Sequence, residues 1–196
     1  MTDGLQGLLE QKVSHLPRGL QEHIARVVSV AEHLSRHHGI DEEKTKLGAL
    51  AHDLARAMKG EDLLRMAREL KVPVHAVEEQ VPVLLHGPVA AEMLRQQDGL
   101  DDDTIHEAVY WHSTAHPELD AAGKVVFLSD KLDPRKIDRY PYLPQLAELA
   151  ESSLDRAVLD FLGRELTALF QQGSLVHPVS VETRNHLLMA VGGESP

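Results

Sequence analysis

Apolar residues recur at helical spacing along almost the whole chain. Leu20, Ile24, Val27, Val28, Ala31 and Leu34 form one stripe, and Gly39 follows as a C-cap. Asp41 caps the next predicted helix, with Lys44 at N3 where a capping box would carry Glu. Leu47, Leu50, Ala51, Leu54 and Met58 are its stripe, and Gly60 stops it. A short helix is expected from Glu61 to Leu70, before Val72-Pro73. Pro88 is placed at N1 of a helix running to Asp98. Asp101-Asp102-Asp103 puts negative charge at the next N-terminus, as the macrodipole favours, and that helix is expected to reach about Ala115. Ala121 to about Lys131 is another, stopped by Pro134. Asp138 to Pro144 has two prolines and two tyrosines and is expected to be an ordered loop. One long amphipathic helix is predicted from Leu146 to Gln172, a last one from Ser180 to Ala190, and a frayed tail from Gly192 to Pro196. With no alternating run long enough for a sheet, no repeat and no linker, the pattern predicts an all-α fold in a single domain, 1–196.

Composition narrows the chemistry. The 196 residues carry 20 Lys+Arg and 31 Asp+Glu, a net charge of −11. That balance argues against binding to a nucleic-acid backbone or a polybasic contact with membrane, and no apolar run reaches the ~18 residues of a span. Met1 to Glu10 lacks a basic start, so no signal peptide is expected. The absence of cysteine excludes disulfides, iron–sulfur clusters, thiolate zinc and a cysteine nucleophile. It fits a reducing compartment, and a cytoplasmic location is expected. The unusual number is thirteen histidines, the commonest metal-ligand type.

Helical spacing sorts them. His33 and His37 share a face with Arg26 and Ser29, opposite the apolar stripe, and with His38 they are assigned to solvent. His15, His75, His106 and His177 show no constellation and are expected on the surface or in loops; the burial of His186 stays open. His23 lies on the edge of the buried stripe, four residues before Val27. His112 is four after Ala108 and three after Val109. Asp130 stands on an otherwise apolar helix, and a buried carboxylate is costly unless paired or bound to metal. His52-Asp53 is surrounded by Gly48, Ala49, Ala51 and Ala55, small residues expected to leave room beside the helix. Adjacent helical residues point about 100° apart, so this pair cannot stack but can straddle an ion. His86 opens His86-Gly87-Pro88 at a helix N-terminus, where free N–H groups favour an anion such as phosphate.

The order His23 … His52-Asp53 … Asp130 resembles the H…HD…D pattern of HD-domain metal-dependent phosphohydrolases. The flanking segments GALAHDLAR, LLHGPVAAEML, AVYWHSTAHP, KVVFLSDKLDP and HPVSVETRNHLL follow in the order of the YqeK-type subfamily. The resemblance covers about Leu20 to Leu188. It implies an HD-domain helical bundle, with a metal-binding core at about 20–135 and C-terminal helices at about 145–190 packed on it. The implied activity is symmetrical bis(5′-nucleosyl)-tetraphosphatase, which splits diadenosine tetraphosphate into two ADP. The implied metal ligands are His23, His52, Asp53 and Asp130, holding iron. The implied substrate positions are Asp53, Leu54, Ala55, Arg56, His86, His112, Ser113, Asp130, Arg135 and Lys136.

The chain departs from the family pattern at four places, one of them Pro141-Tyr142 where the family has Pro-Gly. Leu20 stands where the family usually has Arg, Ala115 replaces a glycine, and His116 replaces an arginine. All four metal positions are kept. Two imidazoles and two carboxylates suit iron(II) or manganese(II), with zinc, nickel or another divalent transition metal as alternatives. Such an ion polarises a phosphoryl oxygen and acidifies a bound water, with Asp53 or Asp130 orienting that water. His86 and His112 are candidates for stabilising phosphate, protonating the leaving group or holding a second metal. Arg56, Lys131, Arg135, Lys136 and Arg139 are candidate positive charges for a polyphosphate. The alternatives are an HD phosphohydrolase acting on another nucleotide and a non-catalytic nucleotide-binding protein. The expected partner is a dinucleoside polyphosphate or nucleotide, with no nucleic acid and no membrane, and a homodimer is left open.

Overall fold

In a computed structural model describing residues 2–192, eleven α-helices follow one another, with no strand among the described residues. They are α1 (Thr2–Ser14), α2 (Arg18–His38), α3 (Glu42–Ala51), α4 (Gly60–Glu69), α5 (Ala76–Gln80), α6 (His86–Gln97), α7 (Asp103–Trp111), α8 (Ala121–Lys131), α9 (Leu143–Ser152), α10 (Leu154–Gln171) and α11 (Pro178–Gly192). Short 3-10 turns at Pro82–Leu85 and Pro134–Lys136 lead into α6 and out of α8. None of these helices is long and apolar enough to cross a membrane.

The predicted punctuation holds at several ends. Gly39 closes α2 in the left-handed conformation (φ 64°), and the Asp41 side chain accepts from the Lys44 N–H at 3.0 Å to open α3. Asp102 opens α7 by accepting from the Ile105 N–H.

Other boundaries move. The helix predicted from Leu146 to Gln172 is two helices that meet at Ser153, whose backbone is extended (φ −161°, ψ 113°). The Ser153 hydroxyl accepts from the Arg156 N–H, so a local cap replaces continuous helix. Leu143 and Pro144 belong to α9 and not to a loop. Pro88 is the third residue of α6, still within the first turn, where its missing N–H costs nothing. The helix expected to reach Ala115 stops at Trp111, and Ala115 turns the chain with φ +59°. Helices α1 and α5 went unpredicted. Of the expected frayed tail, 193–196 lie outside the described residues.

Two apolar clusters flank the centre. One joins α1, α3, α4, α6, α7 and the Ile24 face of α2 around Leu47, Leu63, Leu85 and Leu94. The other joins α2, α8, α9 and α10 around Leu34, Phe127, Leu128 and Leu146. Gly48, expected to leave room beside α3, instead lets α7 and α8 pack closely against it. A Cβ on Gly48 would meet Val126 Cγ2 at 3.1 Å and Ala108 Cβ at 3.3 Å. Gly87 is tighter still: a Cβ there would lie 2.8 Å from the Tyr110 carbonyl oxygen and 2.9 Å from that of Val109. That close approach of α6 to α7 brings His86 beside His112.

Candidate metal and phosphate site

The inward polar set converges from five helices at the seam between the two clusters. His23 comes from within α2, and His52 and Asp53 from the C-terminal end of α3. His86 opens α6, His112 follows the last residue of α7, and Asp130 is in the last turn of α8. His52 and His112 are fully enclosed, while His23, Asp53, His86 and Asp130 line a cleft of about 550 Å³.

Asp53 divides its oxygens between two groups. Oδ2 lies 3.5 Å from His52 Nε2 and 3.6 Å from His23 Nε2. Oδ1 lies 3.0 Å from His86 Nε2 and 3.7 Å from His112 Nε2. Asp130 Oδ1 completes the first group at 3.1 Å from His23 Nε2 and 4.0 Å from His52 Nε2. His23, His52 and Asp130 therefore form one set of donors spaced for a metal, and Asp53, His86 and His112 a second.

Ring orientation shows that these donors suit a cation. His52 Nδ1 donates to the Ala49 carbonyl at 2.7 Å, which leaves a lone pair on Nε2. That Nε2 is buried, has no hydrogen-bond partner, and faces two carboxylates. A buried acceptor aimed at anionic acceptors requires positive charge between them. His112 Nδ1 donates to the Val109 carbonyl at 2.7 Å, and His86 Nδ1 to that of Val83. Their Nε2 atoms are 2.8 Å apart.

The electrostatics agree. Burial alone would raise the Asp53 carboxyl, yet the surrounding imidazoles, His52 first and then His112 and His86, draw it below the usual carboxylate range. Burial is likewise outweighed at Asp130, where Lys131, His23, His52 and Lys136 keep the carboxyl ionised. Burial pushes the His52 imidazole down and the His112 imidazole down to about 4, so both stay neutral, as ligands must. At His23 burial is overcome by Asp130 and Asp133, which raise its affinity for a proton; the same pull acts on any cation.

Most of the predicted site residues meet here. Arg56, Ser113 and Lys136 line the cleft, with Lys131 beside them, and Leu20, Val83 and Leu84 form apolar wall. Three expected substrate residues do not join. The Leu54 side chain packs on the first apolar cluster, Ala55 is buried in it, and Arg135 is 72% exposed and 3.8 Å from Glu22. They follow a helix end and a tight turn, where neighbours in sequence point in different directions.

Of the histidines expected on the surface or in loops, His177 lies in the loop before α11, half-buried, while His106 departs from the expectation. His106 is buried, with Nε2 2.9 Å from Glu92 Oε1. His177 packs its ring against His75, with Nε2 3.8 Å from Glu78. His33 and His37 are exposed as expected, and His186, whose burial the sequence left open, is exposed too. Arg26, assigned to solvent, instead pairs with Asp133, a residue that periodicity passed over. The available signal was its place three residues after Asp130, just before Pro134.

The departures from the family pattern have distinct fates. Leu20 makes part of the cleft wall apolar. Ala115 keeps the left-handed backbone a glycine would take, at a cost of about 1–2 kcal/mol. His116 stacks on Trp111, with ring centroids 4.5 Å apart, away from the cleft.

Comparison with known proteins agrees with this arrangement. Residues 20–135 match the HD domain family model. The chain is 26% identical over 175 residues to a protein of Halalkalibacterium halodurans named bis(5′-nucleosyl)-tetraphosphatase, symmetrical, covering 89% of this chain and 92% of that one. A Bacillus subtilis protein of the same name is 26% identical over 166 residues, covering 85% and 88%. The crystal structure of a predicted HD superfamily hydrolase involved in NAD metabolism from Clostridium acetobutylicum superposes with a TM-score of 0.88 at 21% identity, covering 94% and 97%. With the family match spanning more than half its length, and its His and Asp side chains gathered at one seam, the chain belongs to the HD domain family.

Proposed function

We propose that this protein is a metal-dependent phosphohydrolase that cleaves diadenosine tetraphosphate symmetrically into two ADP. The partnerless, buried Nε2 of His52 facing Asp53 and Asp130 carries the metal-dependent part. The tetraphosphatase names of relatives aligned over most of the chain support the substrate.

His23, His52, Asp53 and Asp130 would hold the ion, with iron(II) or manganese(II) suited to a mixed imidazole–carboxylate set. When bound, such an ion polarises a phosphoryl oxygen and makes a water a better nucleophile. Asp53 and Asp130, both ionised, can accept a hydrogen bond from water and so orient it. Arg56, Lys131 and Lys136 face the cleft and would pair with phosphate oxygens in a protein whose net charge is otherwise repulsive. Ser113 Oγ adds a hydroxyl 3.2 Å from His112 Nε2. His86 and His112 fit the role of ligands for a second ion better than that of proton donors. Their Nδ1 protons are committed to carbonyls, and His112 titrates at about 4. The absence of cysteine accords with a cytoplasmic site of action.

The test is direct. Purified protein is incubated with diadenosine tetraphosphate and iron(II), manganese(II) or cobalt(II), and the products are separated. ADP as the sole product is expected. ATP plus AMP would place the cut elsewhere, and no product with any of the metals would overturn the activity.

A further inference from the structure

The four site histidines orient their rings in two different ways. His52, His86 and His112 each stand at a helix boundary and use Nδ1 to reach the carbonyl three residues earlier, at Ala49, Val83 and Val109. Those carbonyls lie near helix ends, where acceptors are not all used by the helix ladder. His23 lies inside α2, between Arg18 and His38, where the backbone carbonyls serve the helix. Its Nδ1 instead meets Asp133 Oδ2 at 2.7 Å, from a residue 110 positions away.

Asp133 is itself firmly held. Arg26, one turn along α2 from His23, donates Nε to Asp133 Oδ1 at 2.7 Å and Nη2 to Oδ2 at 2.9 Å. The Arg135 N–H adds a third bond to Oδ1 at 3.0 Å. The carboxylate is 2% exposed, and with these donors around it nearly all its acceptor positions are used. It does not line the cleft, so it reaches neither an ion nor a substrate.

We propose that Asp133, clamped by Arg26, is the positioning residue of the metal centre. It fixes the His23 proton on Nδ1 and turns the Nε2 lone pair towards Asp53 and Asp130. An anionic acceptor also makes His23 a more basic donor than its three carbonyl-oriented counterparts, because negative charge on the far side of the ring strengthens Nε2. This rests on the reading of His23 as a metal ligand and is independent of which substrate is cleaved.

The experiment titrates manganese(II) into metal-free wild type, Asp133→Ala, Asp133→Asn, Arg26→Ala and His23→Ala by calorimetry. Histidine nitrogen NMR of the metal-free proteins is recorded at alkaline pH, where imidazoles are neutral. Loss of such an outer partner typically weakens metal binding about 10–100-fold. Asp133→Ala is expected in that range, with Arg26→Ala affected less and His23 passing from one tautomer to a mixture in both. Asp133→Asn, which keeps the acceptor and loses the charge, is expected between wild type and Asp133→Ala and guards against misfolding of the alanine variant. If His23→Ala binds manganese as wild type does, His23 is not a ligand and the premise falls. If His23→Ala loses affinity while the Asp133 variants keep both wild-type affinity and a single tautomer, the positioning role alone is overturned.

Discussion

His86 and His112 approach Nε2 to Nε2 at 2.8 Å while the Nδ1 of each is bound to a carbonyl oxygen. Two lone pairs cannot face each other at that distance without a positive charge between or beside them. Asp53 Oδ1, 3.0 Å from His86 Nε2, makes the same demand from a third side.

Two divalent ions per chain are therefore expected in fully loaded protein. Elemental analysis after manganese(II) loading and desalting should give a ratio near two for wild type and near one for His112→Ala. A ratio of one for both proteins would return His86 and His112 to a phosphate-facing role.

Asp53 contributes one oxygen to each donor group, so its removal should be felt in both. Asp53→Ala is expected to lose metal retention and turnover together. His86→Ala should retain the ion at His23, His52 and Asp130 and lose most of its rate. Full activity in Asp53→Ala would contradict the assignment of the site.

Gly87 is fixed by backbone and not by a yielding side chain, since its missing Cβ would sit inside contact distance of two carbonyl oxygens. Gly87→Ala should push α6 off α7 and destabilise the protein by about 1–3 kcal/mol, the usual penalty of overpacking. It should also part His86 from His112. Urea unfolding and metal stoichiometry measure the two effects separately, and an unchanged midpoint would show that the helices can shift freely.

The metal-free protein should lose stability on acidification. Burial depresses His52, and pushes His112 from 6.5 to about 4, so the unfolded chain takes up those protons first as pH falls from 6.5 towards 4. His23, with a raised pKa, acts oppositely; its contribution is full below 6.5 and fades as pH rises through its folded value. Below the ordinary carboxylate range Asp53, Asp130 and Asp133, all depressed, add further loss as they protonate. Melting temperature followed from pH 7 to 4 should decline, with a shallower decline in His112→Ala. A rise between pH 7 and 5 would mean that His23 dominates.

Much of this architecture was legible because helices write their buried face into the sequence at a fixed period. The same period marked His23, His112 and Asp130 as polar groups on inward faces, and the HD pair with its flanking motifs named the family. Periodicity says which way a side chain leaves its helix, but not what meets it. Asp133 and Arg26 therefore escaped: one lies at a short turn, the other on a face that looked solvated until α8 and its turn packed over it. His106 escaped for a related reason, since its partner Glu92 comes from α6. The break at Ser153 hid inside a continuous amphipathic pattern, because a side-chain cap competes with helix locally without disturbing the stripe on either side.

The seam between the two apolar clusters has a mechanical meaning. His23 and Asp130 stand on α2 and α8, on one side; His86 and His112 stand at α6 and α7, on the other; and Asp53 reaches both. Ions held in the cleft would tie α2 and α8 to the adjoining ends of α6 and α7. In a chain with no cysteine to form a covalent tie, loading the site is also a way of fastening the fold, and a chelator would loosen the protein as well as silence it.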